Sequence, residues 1–103
     1  MIYATVTIGS LLAVAAATAD AAPTFHGGDG SNCEHAIIIR DAANEREGVA
    51  AEYRYLEERH PGWILKGQSL VRSGDRSYDL LEFATVEGTA RRACFQISEF
   101  YRP

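Results

Sequence analysis

The chain has no surplus of positive charge: 10 Lys and Arg stand against 14 Asp and Glu, for a formal net charge of −4. A mildly acidic protein lacks the long-range field that gathers phosphates, so nucleic acid is not expected as a partner, although a local patch of arginines can still hold one anion. Catalytic signatures are missing too. There is no glycine-rich phosphate loop, no paired-carboxylate motif and no nucleophile elbow, and the one helical histidine, His60, stands before Pro61, where it caps a helix end. The expectation is therefore a protein that is not an enzyme and carries no cofactor. Internal repeats and linkers are also absent, so the 103 residues hold one domain.

Strongly apolar runs are short. Ile8 to Ala19 are uncharged and rich in Ala, Leu, Val and Thr, and they fall short of the ~20 strongly apolar residues a membrane span needs. Ala19-Asp20-Ala21 has the small-x-small form of a signal-peptidase site, so residues 1–21 are expected to be a signal peptide, with the α-amino group as their positive end. A retained anchor is the competing reading, and the Ala/Thr content argues against it. The mature chain is thus expected in the periplasm or secreted, with no stable membrane insertion after cleavage.

Cysteine is scarce as well. Cys33 and Cys94 are the two present, and in an oxidising compartment a pair in a small domain reads as a disulfide. Closing so long a loop is worth about 4 kcal/mol in the chain-entropy treatment. Bonded cysteines need Cα atoms within about 7 Å, which puts the strand following Cys33 beside the last strand.

What the chain does have is one amphipathic helix, Asn44 to His60. Val49, Tyr53, Leu56 and His60 recur at helical spacing with Ala50 alongside, which predicts a buried stripe. Asn44 with Glu47 three residues on resembles a capping box, and Pro61-Gly62 ends the helix. Gly48 inside it points to a close packing contact or to tolerance. Residues 22–35, Gly-rich and without periodicity, are expected as a flexible leader. Residues 36–103 are expected as the domain. In it Ala36-Ile37-Ile38-Ile39 suits a buried strand. Trp63 to Arg72, with a bulge where the alternation slips at Gly67, pairs with Tyr78 to Val86 as a hairpin, and Thr89 to Ile97 completes a meander. The expected fold class is α+β, one helix packed on a four-stranded mainly antiparallel sheet in the order β-α-β-β-β. Cys94 falls on the face opposite Ala93, Phe95 and Ile97, while Tyr53 and Trp63 are expected in the core.

The helix, the Pro61-Gly62-Trp63 turn, the segment Tyr78-Asp79-Leu80-Leu81-Glu82, a Gly88 turn and the strand ending Phe95-Gln96-Ile97 together resemble small exported PepSY-like and β-lactamase-inhibitor-like modules over about half of the mature chain. That resemblance implies a helix on an antiparallel meander outside the cytoplasm, binding protein or peptide, sometimes regulating a peptidase, without catalysis.

Two groups of residues are candidates for chemistry. His26, Asp29, Cys33 and His35 are metal-ligand types, but their spacing fits no closed zinc pattern, so no metal is expected. Arg72, Arg76, Arg91 and Arg92 are expected near neighbouring ends of the meander, where they can form a basic edge with Tyr78, Phe100 and Tyr101 as aromatic anchors. The plainer reading is a solvated strand face that pairs with Asp79, Glu82 and Glu87. The expected function is an exported, non-catalytic protein- or peptide-binding module, an inhibitor being one form of it. The alternative is a small-molecule or ion-binding envelope protein.

Overall fold

The computed structural model describes residues 22–102, and the expected signal peptide lies outside them. Among the described residues the single α-helix, α1, runs Glu45–Arg59. Asn44 Oδ1 accepts from the Glu47 amide at 2.9 Å, while Glu47 Oε1 accepts from the Ala43 amide at 3.1 Å, so the reciprocal arm reaches one residue further back than the usual box. At the other end the His60 amide donates to Leu56 O at 2.7 Å, and Pro61-Gly62 prevents continuation.

Five strands form one sheet: β1 (Thr24–Gly27), β2 (Ile37–Arg40), β3 (Ile64–Ser73), β4 (Arg76–Ala84) and β5 (Ala90–Gln96), in the spatial order β1-β2-β5-β4-β3. The four-stranded expectation is thus corrected. The fifth strand comes from the stretch read as a leader, where β1 pairs antiparallel with β2 through Phe25↔Ile39 and His26↔Ile38. Backbone hydrogen bonds order this stretch. Gly28 N donates to Ala36 O, Gly30 N to His35 O, and Cys94 N to Gly30 O at 2.9 Å, so Gly30 extends the ladder beside β5. Gly30 has φ +79°, and a Cβ there would run into Ile37 Cδ1, so a side chain is excluded twice over. A 3-10 turn, Cys33–His35, follows. The sheet is mixed, because β2 lies parallel to β5 through Ile37↔Phe95 and Ile38↔Gln96. The β2–β5 neighbourhood itself is the one the disulfide requirement predicts.

Helix α1 covers one face of the sheet. Ile37, Ile39, Leu81, Phe83 and Phe95 meet Ala51, Leu56 and Phe100 there. On the other face Cys33 and Cys94 are bonded, with Cα atoms 5.2 Å apart, and Cys94 packs with Ala36 and Tyr78. The hairpin β3–β4 and the bulge are also as expected, the register slipping between Leu65 and Gly67.

The buried helical stripe is rotated from the expected one. Gly48, Ala51, Glu52 and Leu56 are buried, whereas Val49 is half-buried, Ala50 is exposed and Tyr53 is 37% exposed. The physical reason is Phe100, whose ring occupies the place where a Cβ on Gly48 would stand. The sheet took the small-residue face because it permits close approach, and the aromatic rings of Phe95 and Phe100 fill the volume.

Candidate functional site

The structure splits the expected basic edge. Arg72 and Arg76 stand at the β3–β4 turn, where Arg72 pairs with Ser77 and Arg76 with Ser73. Arg91 and Arg92 oppose Phe83 and Glu82 near the other end of β4, about 20 Å away at roughly 3.3 Å per residue. Two of the three expected aromatic anchors are core: Tyr78 is 7% exposed on the disulfide face and Phe100 is 6% exposed under α1. Tyr101 is half-buried at the Arg72 end. All four arginines are exposed, and the two ion pairs among the described residues, Arg40–Glu99 and Arg54–Glu58, involve none of them.

The metal-type residues are also occupied elsewhere. Cys33 is in the disulfide. Asp29 accepts from the Ser31 amide and hydroxyl at 3.0 and 2.7 Å, which holds its carboxyl below the ordinary range. His35 Nδ1 lies 2.9 Å from Asn32 Oδ1. Among the described residues no group of three or more His, Cys, Asp or Glu side chains is placed to hold a metal. No helix there is long and apolar enough to cross a membrane.

Two features escaped the sequence reading. The first is the fully buried carboxyl of Glu52, on α1. Neither of its oxygens meets a donor, and its neighbour is the carboxylate of Asp79 on β4, itself 7% exposed. Two carboxylates can be bridged only by a proton, so Glu52 is neutral, its pKa pushed up to about 10 by burial first and by Asp79 second. Gln68 Nε2, from β3, donates to Asp79 Oδ2 at 2.8 Å. Helical spacing held the clue, since Glu52 lies four residues from both Gly48 and Leu56. Along β4, Asp79 alternates onto the same face as Leu81 and Phe83.

The second feature is an uncovered flank. Helix α1 shields β2, β5 and β4 but not β3, whose residues are exposed at eight of its ten positions and which, among the described residues, has no strand on its outer side. Of the large exposed apolar residues, Leu65 and Leu70 stand on the α1 face of β3, where they pair with Phe83 and Asp79, while Ile64 alternates to the opposite face. Tyr53 reaches Trp63 at 5.4 Å between ring centroids, so Trp63 is half-buried rather than central. Between α1 and β3 lies a surface cleft of about 240 Å³, with Asp79 and Gln68 lining it below Val49, Leu70, Phe100 and Tyr101.

A larger groove, about 540 Å³, opens between the last turn of α1 and β5 and is lined by Arg59, His60, Arg91 and Arg92 with Asp29 and Glu82. The Arg59 guanidinium lies 3.7 Å above the Tyr55 ring, and His60 packs against Phe83 at 5.2 Å. No protein-family model, curated protein or solved structure matches this chain.

Proposed function

We propose that the protein is a non-catalytic binding module, exported across a membrane, that captures an extended segment of a protein or peptide along β3. The observation that carries this reading is the edge of β3, unpaired among the described residues, with Leu65 and Leu70 exposed along its α1 side. An unpaired strand edge offers a ladder to an incoming strand, and clustered exposed apolar side chains mark binding surfaces. The disulfide suits an oxidising compartment, and a role like that of the PepSY-like or inhibitor modules belongs to the same proposal.

Capture by crosslinking from the envelope fraction tests it. The double variant Leu65→Asp, Leu70→Asp alters side chains already 37% and 48% exposed, so it is expected to stay folded in urea titration and to lose the captured protein. The α1–β5 groove supports a second reading. Among the described residues no carboxylate lies within salt-bridge distance of Arg59, Arg91 or Arg92, which suits an anion-binding role. Capture that survives the β3 variant but is lost in Arg91→Glu, Arg92→Glu selects that reading.

A further inference from the structure

We propose that the groove between the last turn of α1 and β5 binds a small organic oxyanion, a phosphate or carboxylate group on an apolar body, with Arg59 and Arg91 as its counter-ions. This rests on the second reading above, of the groove as an anion site, and names the class of ligand.

The groove sets three arginines against two carboxylates, on a chain whose net charge is −4. Positive charge is thus concentrated there against the trend of the molecule, and the two carboxylates are the obvious groups to neutralise it. Both are directed elsewhere. Asp29 is held by the amide and hydroxyl of Ser31 at 3.0 and 2.7 Å. Glu82 Oε1 stands 3.7 Å from where a Cβ on Gly67 would be, toward β3, although Arg92 is its ladder partner on β5. The two ion pairs among the described residues include no groove arginine. Guanidinium groups gathered without a counter-ion repel one another, and an oxyanion relieves that repulsion while accepting their fixed, fork-like donors.

Geometry agrees with charge. The Arg59 guanidinium is stacked 3.7 Å above the Tyr55 ring, which restricts its rotamers in advance of any ligand. Ala93 belongs to the core under α1, so alternation places Arg91 on that same side of β5, where Arg59 also lines the groove. Arg92 leaves the strand on the other face. Its amide, by the same alternation, points to the edge at which the Cys94 amide donates to Gly30 O, an edge the groove borders through Asp29 and Ser31. Size sets the body of the ligand. A volume of about 540 Å³ lies within the roughly 300–1,000 Å³ of small-molecule sites, and Tyr55, Leu56 and Phe83 supply an apolar wall beside the arginines.

The test is a two-dimensional amide NMR titration of the full chain at neutral pH with phenyl phosphate, phenylacetate, inorganic phosphate and benzyl alcohol. Saturable shifts at Ser31, Arg91 and Ala93 are expected with phenyl phosphate or phenylacetate, and the tighter of the two names the head group. Inorganic phosphate, which lacks the body, and benzyl alcohol, which lacks the charge, should each bind at least about tenfold more weakly. The double variant Arg59→Gln, Arg91→Gln should weaken the preferred ligand by a similar factor. Arg72→Gln with Arg76→Gln, which removes exposed arginines at the far end of the sheet, should leave it within about twofold. Failure of both phenyl compounds to saturate overturns the proposal with no variant required, as does inorganic phosphate or benzyl alcohol binding equally well. Undiminished binding to the folded groove variant, or equal loss in the far-end variant, does the same. The outcomes separate from those of the capture experiment. Capture that is lost in Arg91→Glu, Arg92→Glu while neither phenyl compound saturates removes the small ligand and leaves the groove as a partner's face. Saturable binding with capture indifferent to those arginines leaves the small ligand and removes the groove as the partner's face.

Discussion

Strands β3 and β4 are partners over nine paired positions, yet β4 is buried at five of its nine residues and β3 at none. They share one ladder, so pairing does not decide burial. What decides it is the position of α1, which lies over β2, β5 and β4, on the side of the sheet centre where the disulfide ties the chain beneath β5. The apolar stripe of the helix is consequently wider than the surface it covers. Its small-residue half, Gly48 and Ala51, sits on the sheet, and its outer half, Val49 and Tyr53, looks over β3. An amphipathic face leaning past the sheet it packs on is what leaves a cleft there.

The comparison can be broken most forcefully with leucines. Leu81→Ala on β4 removes a side chain with 0% exposure and is expected to cost about 2–5 kcal/mol in urea unfolding. Leu70→Ala on β3, 48% exposed, is expected to cost under about 1 kcal/mol. Equal costs would mean that β3 is covered in solution.

Glycines sharpen it. Gly48→Ala places a methyl against the Phe100 ring and should destabilise by about 1–3 kcal/mol, although alanine is the better helix former. At Gly67 on β3 the nearest atom to a new Cβ would be Glu82 Oε1 at 3.7 Å, so Gly67→Ala is expected to stay within about 1 kcal/mol. A thermal melt of the two variants side by side reads the difference.

A pH-dependent test lies on the border between the regions, where Glu52 meets Asp79 and, through it, Gln68 of β3. The folded-state pKa of Glu52, about 10, exceeds its ordinary value of 4.5. The stability contributed by the neutral form is therefore complete below pH 4.5 and is lost as pH rises toward 10, because the unfolded chain ionises there and the folded one does not. The slope is at most about 1.4 kcal/mol per pH unit. Glu52→Gln should flatten the pH dependence of urea unfolding across this window and be the more stable protein on its alkaline side. A slope unchanged by the substitution would mean that Glu52 is solvated.

Much of the architecture was legible from local chemistry. Asn44 and Pro61-Gly62 bracket the helix, Gly67 marks the bulge, Ser73 to Arg76 the hairpin turn, and two cysteines leave one pairing. The leader was misjudged because β1 is made by backbone hydrogen bonds to β2 and by Gly30 beside Cys94, neither of which leaves a periodic trace in side chains. The basic edge fails because successive turns of an antiparallel meander lie at opposite ends, which parts Arg72 and Arg76 from Arg91 and Arg92, while the burial of Tyr78 and Phe100 depends on packing far along the chain.

By itself the sequence determined where elements begin and end, because caps, breakers and alternation act within a few residues of one another. It also determined that Cys33 joins Cys94, since no other thiol competes. Only the tertiary structure decided which face of α1 is buried, that Glu52 would lie buried against Asp79, and that β3 would remain open. Each of these depends on how closely Phe100 lets the helix approach the sheet and on which strands lie beneath it, and those are distances between residues far apart in the chain.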